Sequence, residues 1–238
     1  IDNREEVDSK LVKEVEKNNI KIYKGYTVVN TFGYKKINKI SIMQLSKDGQ
    51  KVVGSKISID CDCLGMSGGW TPAVHLFTQS GGKLKFRDED QVFIPNIYPS
   101  DQISIGSCNG DFTLDEILST VPKTLKEFLN LKKIDYEDLE IKSSFNKSKR
   151  NIWLLPSDKV IGKTKPFVDY QNDATAKDIK LALREGFRSI EHVKRYTTTG
   201  MGTDQGKLGN MHALGIISET AGSKMGELGT TTFRPPYT

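Results

Sequence analysis

Residues Ile57–Pro72 read ISIDCDCLGMSGGWTP. Alternation through Ile57 and Ile59 predicts a strand that runs into Ser67-Gly68-Gly69 and then Trp70-Thr71-Pro72. Pro72 suits a first helical position, so a short helix is expected through Val74 to Phe77. A strand, a glycine loop and a helix form one step of an α/β nucleotide fold, where glycine lets the main chain pass close to a cofactor or another strand. The same residues also suit an ordinary tight strand-to-helix loop, and both readings stay open on this stretch alone.

About 40 residues on, Ile103-Ser104-Ile105-Gly106 leads through Asn109-Gly110-Asp111 to Thr113, which forms a capping-box pattern with Glu116. That pattern opens a helix towards Leu129, and the free N–H groups at such an end favour a negative or polar cofactor group. At the other extreme, Asp2 in Ile1-Asp2-Asn3-Arg4 sits where a Rossmann strand ends, and an acid there can accept from an adenosine ribose. It reads equally as a solvated terminal Asp. The candidate nucleotide residues are thus Asp2, Ser67, Gly68, Gly69, Trp70, Gly106, Asn109 and Gly110.

Around these lie further elements. Val7, Leu11, Val12 and Val15 mark an amphipathic helix over Glu5 to Asn18. Short strands are expected at Ile20 to Tyr23 and Tyr26 to Thr31. Ile37 to Leu45 and Gln50 to Ile59 read as an antiparallel pair turning at Asp48-Gly49. Gln91 to Ile94 and Gln102 to Ile105 read as strands. Leu131 to Arg150 is polar and charged, which places a boundary there and a linker over residues 132–156. Beyond it, Thr175 with Asp178 caps a helix to Gly186, Ser189 to Tyr196 gives a second, and Gly206 to Thr220 a third stopped by Gly222. Pro235-Pro236 keeps the tail from being helical.

Composition narrows the classes. The chain has 238 residues, 36% hydrophobic, with a formal net charge of +5. No apolar run reaches the roughly 20 residues of a spanning helix, so an integral membrane protein is not expected. The mild charge contains no polybasic arm, which argues against a nucleic-acid binder. Cys61, Cys63 and Cys108 are too few for a disulfide scaffold, so a reducing cytoplasm is the expected compartment. Cys61-Asp62-Cys63 as one strand would point both thiols to one face, but packing thiols are favoured over a metal site. His75, His192 and His212 show no ligand spacing. Trp70 and Phe77 could stack on a flavin or adenine, and plugging a domain junction is the favoured alternative.

Three stretches then resemble the alpha subunits of the heterotetrameric sarcosine oxidase family: SGGWTPAVHLFTQSGGKLKF at Ser67 to Phe86, FVDYQNDATAKDIKLALREGFRSIEHVKRYTTTGMGTDQGKLGN at Phe167 to Asn210, and GTTTFRPPYT at Gly229 to Thr238. They cover about a third of the chain, in the family's order. The resemblance implies an α/β fold class, here part of a two-dinucleotide-binding, reductase-like fold over residues 1–131. In such reductases the first loop returns the chain from the pyridine-nucleotide domain, and the second closes the flavin-type domain. Here Asp111 stands at the helix entrance, with no Asp directly after Gly106. A small all-helical module over 157–228 would follow, then the start of an aminomethyltransferase-like folate domain at 229–238.

The resemblance also implies NAD as cofactor, with FAD open as the occupant of this fold. FMN and FAD would sit in the assembled complex, and tetrahydrofolate in the folate domain. Beta, gamma and delta subunits would be the partners, and the reaction would turn sarcosine into glycine with peroxide release. The module resembles ferredoxin-like domains that hold an iron–sulfur cluster on four thiolates. Asp169, Gln171, Asp204 and Gly209 occupy those positions, so a module without its cluster is expected. Lys194, Arg195 and Lys207 are read as a solvated basic face in preference to a phosphate or partner contact. Two rivals are a related amine or proline dehydrogenase subunit and a non-catalytic interaction module with a vestigial nucleotide fold.

Overall fold

Alternating apolar residues build the first sheet of the computed structural model, which describes residues 1–7, 9–99, 101–131, 151–159 and 163–237. Strands β1 (Tyr26–Gly33), β2 (Ile37–Leu45) and β3 (Val52–Asp60) form an antiparallel meander in that order. The expected turn is present: Ser46 N donates to Lys51 O at 2.9 Å, Gln50 N donates to the Asp48 carboxylate at 3.1 Å, and Gly49 takes a φ of 69°. Central β2 is buried on both faces, Ile40 and Ile42 on one and Ser41, Met43 and Leu45 on the other. Helix α1 (Ser9–Lys17) adds buried Val12. It stops where Asn19 turns left-handed at φ 58° and Ile20 N reaches back to Val15 O at 3.3 Å.

The chain divides into two compact units that are discontinuous in sequence. One comprises residues 1–68 with 146–166, the other 69–145 with 167–238. The division runs through the Ser67–Gly69 loop, so residues 1–131 do not make one compact body. Most of the linker read over 132–156 lies outside the described residues.

The second unit begins with α2 (His75–Gln79), followed by the hairpin β4 (Lys83–Arg87) and β5 (Val92–Ile97). β5 is buried on both faces, Val92 and Ile94 on one and Phe93 on the other, and Pro95 is tolerated because β5 has a single neighbour. A 3-10 turn η1 (Gly106–Asn109) packs next to β5, and helix α3 (Leu114–Phe128) packs against η1. The Thr113–Glu116 capping box is present, Glu116 N donating to Thr113 Oγ1 at 3.4 Å. Then come the small hairpin β6 (Phe167–Asp169) and β7 (Ala174–Thr175), and helices α4 (Ala176–Arg184), α5 (Ile190–Thr197), α6 (Asn210–Ala221) and α7 (Met225–Leu228). Asp178 Oδ2 accepts from Thr175 N at 2.8 Å, completing the second capping box. Ala176, Ile179 and Ala182 of α4 and Ala213, Leu214, Ile216 and Ile217 of α6 are buried where the two helices pack, α6 ending at left-handed Gly222.

Several expectations change. Ile20 to Tyr23 is not a strand; Lys24 alone makes a parallel bridge, to Asp2. Gln102 to Ile105 forms no strand among the described residues. β4, β6 and β7 were not foreseen. The three sheets are antiparallel, joined by turns of a few residues that cannot make the crossover a parallel pair needs. The coarse α/β class therefore holds, while the described strands do not build a doubly wound parallel layer. No described helix is long and apolar enough to cross a membrane.

The tail is non-helical and anchored. Phe233, 8% exposed, lies with its ring centroid 6.4 Å from Phe93 and 5.9 Å edge-on from His75. Its carbonyl accepts from Thr78 Oγ1 at 2.9 Å and Gln79 Nε2 at 3.0 Å. Phe233→Ala should destabilise the second unit by about 3 kcal/mol, as buried Phe truncations do. Denaturant unfolding of the chain measures it, and an unchanged midpoint would show that the tail is not anchored there.

Candidate functional site

The glycine loop stands open. Residues 65–71 are exposed and unstructured between the end of β3 and buried Pro72 and Val74. A Cβ added at Gly69 meets nothing within 4 Å, so it is the φ of 116° that requires glycine there. Trp70 is 75% exposed in this chain. Phe77 is 5% exposed, stacks edge-on with Tyr98 at 4.9 Å within the second unit, and lies where a Cβ on Gly82 would fall, 2.5 Å from its ring. The Cys61-Asp62-Cys63 segment lies beyond β3, with Cys63 exposed and Cys61 and Cys108 half-buried. The expected role as buried packing thiols is therefore corrected: the strand ends at Asp60, before their burial could be imposed.

The second glycine loop is compact. η1 brings Gly106, Asn109 and Gly110 into one turn beside the start of α3. Gly106 and Gly110 take φ values of 73° and 86°. A Cβ on Gly110 would lie 2.7 Å from Arg87 Nη2 and 2.9 Å from Ile94 Cγ2. Gly110 O accepts from Arg87 Nη2 at 2.8 Å, and Arg87 Nε donates to Asp90 at 2.8 Å. The turn's amides are used internally: Gly110 N donates to Ser107 O and Asp111 N to Gly106 O, both at 3.2 Å. Thr113 N is held by Glu116 at 3.3 Å. This loop therefore knits β4, β5 and α3.

Asp2 carries a fork. Its Oδ1 accepts from Arg4 N at 2.9 Å and Arg4 Nε at 3.0 Å, and its Oδ2 from Nη2 at 2.7 Å. The guanidinium holds the carboxyl below the usual carboxylate range. Asp2 is therefore ionised and still partly solvent-accessible, as a hydroxyl acceptor must be.

Three of the four positions set against cluster thiolates, Asp169, Gln171 and Asp204, belong to a hydrogen-bonded knot, and Gly209 packs close to Val168. Buried Asp169 accepts from Gln171 N at 2.9 Å, Asn172 N at 3.0 Å and Gly200 N at 2.7 Å. Gln171 Nε2 donates to Thr203 Oγ1 at 2.9 Å, and its Oε1 accepts from Asp204 N at 3.4 Å. Asp204 in turn accepts from Gly206 N at 3.1 Å and Leu208 N at 3.3 Å. A Cβ on Gly209 would lie 2.5 Å from Val168 O. These contacts tie the β6–β7 hairpin to the loop before α6. Beside them, Asn172, Asp173, Asp178, Leu181, Tyr196 and Thr197 line an open cleft of about 270 Å³. No group of three or more His, Cys, Asp or Glu able to hold a metal occurs among the described residues. Arg195 and Lys207 are exposed and Lys194 half-exposed.

Desolvation raises the pKa of Asp169, but the amides of Gly200, Asn172 and Gln171 outweigh it and hold the group below its ordinary value. A depressed carboxyl stabilises the fold above the unfolded-state value near ~4, and that contribution is lost as pH falls through the lower folded value. Asp169→Asn should cost about 1–3 kcal/mol at neutral pH, a deficit that shrinks below about pH 4. Unfolding midpoints of both proteins across pH check this, and equal stability at neutral pH would refute the knot.

Residues 163–238 match the family model described as the sarcosine oxidase A3 domain. The chain is 31% identical over 231 residues to the sarcosine oxidase alpha subunit of Corynebacterium sp. (strain P-1), with 92% of this chain and 23% of that protein covered. It is 37% identical over 190 residues to the alpha subunit of Rhizobium meliloti (strain 1021), with 78% and 19% covered. The chain thus spans about a quarter or less of these relatives. L-proline dehydrogenase from P. horikoshii is similar in fold, with a TM-score of 0.57 at 20% identity over 96% of this chain and 46% of that one. By sequence, this chain is similar to one segment of sarcosine oxidase alpha subunits, with residues 163–238 matching that family's A3 domain.

Proposed function

We propose that this chain serves as part of the alpha subunit of a flavin-dependent sarcosine oxidase, contributing nucleotide binding and subunit assembly. The observation that carries this reading is colinear similarity to sarcosine oxidase alpha subunits over nearly the whole chain. In the assembled enzyme, the methylamine carbon of sarcosine is oxidised, glycine is released and oxygen becomes hydrogen peroxide. FMN and FAD would supply the redox chemistry, and tetrahydrofolate would take up the one-carbon unit. Beta, gamma and delta subunits would be the partners, and this chain would supply no catalytic residue.

Within the chain, we assign a nucleotide, NAD, to a partial two-dinucleotide-binding fold. Ser67, Gly68 and Gly69 suit it best, because they are exposed and Gly69 already holds a conformation only glycine takes easily. Asp2 suits a ribose hydroxyl, being ionised and accessible. Gly106, Asn109 and Gly110 would shape the fold around the nucleotide, since their turn spends its amides on itself. Trp70, exposed beside the glycines, could stack on a ring of the nucleotide.

Two measurements test the reading. The purified multisubunit complex should consume sarcosine and release peroxide in step with glycine; oxidation without peroxide would make it a dehydrogenase. NAD titration of the whole alpha subunit should show binding that Gly69→Val weakens at least tenfold, and the same substitution should lower the melting temperature because φ is 116° there. Unaltered NAD binding in Gly69→Val would remove the loop from the site.

A further inference from the structure

We propose that Cys61 and Cys63 form a peroxide-responsive dithiol, closing to a disulfide at the start of the exposed segment that joins the two compact units. Both thiols are free, and both belong to the first unit. In a flat strand, residues two apart share a face, with Cα atoms roughly 6.6 Å apart, near the upper limit of about 6.8 Å for a disulfide. Here β3 ends at Asp60 and the chain bends at Asp62, so the two cysteines are not held in a flat strand. Cys61 is held in place, its N–H donating to Asn38 O at 3.2 Å at the end of the β2–β3 ladder. Cys63 lies one bend further on, exposed, in a segment with no helix or strand to oppose its movement. The pair thus consists of an accessible attacking thiol and an anchored resolving thiol.

The chemistry balances with hydrogen peroxide as oxidant. The Cys63 thiolate attacks one peroxide oxygen; an S–O bond forms, the O–O bond breaks and hydroxide leaves. Sulfur loses two electrons and becomes a sulfenic acid. The Cys61 thiol then attacks that sulfur; the S–S bond forms, the S–O bond breaks and water leaves. Two thiols and one peroxide give one disulfide and two waters. A dithiol reductant reverses the change. Cys108 lies outside the pair: it is half-buried in η1, where its Sγ–H donates to Ile105 O at 3.0 Å, and no second cysteine neighbours it in sequence. Neither step draws on the nucleotide or the amine reaction.

Sequence cuts the two cases apart for measurement. Tryptic peptide 57–83 holds Cys61 and Cys63, and peptide 88–123 holds Cys108. The full chain, treated with dilute hydrogen peroxide, alkylated and digested, should yield peptide 57–83 short of two hydrogens and closed to alkylation. Met66 in that peptide is exposed and gains an oxygen separately. Dithiothreitol should restore both alkylation sites. Cys61→Ser should leave Cys63 as a sulfenic acid that dimedone captures. Sulfinic acid on Cys63 with Cys61 still alkylated, disulfide-linked dimers through Cys63, or two unreacted thiols would each overturn the proposal.

Discussion

Burial of Phe233 against the β4–β5 hairpin and α2 is the contact on which the second unit depends. Thr78 and Phe233 are 155 residues apart, yet the Thr78 hydroxyl donates to the Phe233 carbonyl while Phe93 and His75 flank its ring. A closure over so long a loop costs entropy that only buried apolar area and satisfied polar groups can offset. Phe233 supplies both, since its ring is buried and its carbonyl is bonded twice. Close passage of α7 over β4 adds to the closure, with a Gly226 Cβ only 3.2 Å from the Phe86 side chain.

Polar residues do comparable work around Asp169. A buried carboxylate is costly unless its oxygens are met by donors. Three backbone amides meet this one, and they come from two loops. The interaction therefore sets the path of the chain between α5 and α6 as firmly as apolar packing does. Gly200 and Gly206 belong to the same arrangement: a Cβ on either would strike the Asn210 side chain at 2.2 or 2.1 Å.

The two glycine loops looked alike as sequence and differ as structure. Ser67-Gly68-Gly69 keeps its main chain exposed and carries the nucleotide proposal. Gly106 to Gly110 folds back on its own amides, and at Gly110 the glycine makes room for Arg87 and Ile94. Trp70 and Phe77, read alike as sequence, differ in burial. Phe77 is on the buried face of α2 and Trp70 precedes the anchored Pro72, so packing reaches one and not the other.

Local chemistry alone determined the capping boxes at Thr113 and Thr175, the Asp48-Gly49 turn, the α6 stop at Gly222 and the helices α4, α5 and α6, because each rests on residues within a few positions of one another. The tertiary structure alone decided that β4 is a strand, that Gln102 to Ile105 is not, and that the compact units cross the Leu131 boundary. Lys83-Leu84-Lys85-Phe86-Arg87 gains strand form by pairing with β5, while Gln102 to Ile105 finds no such partner among the described residues. Strand pairing and the tail's return over 155 residues are non-local, and no window of sequence contains both halves of such a contact.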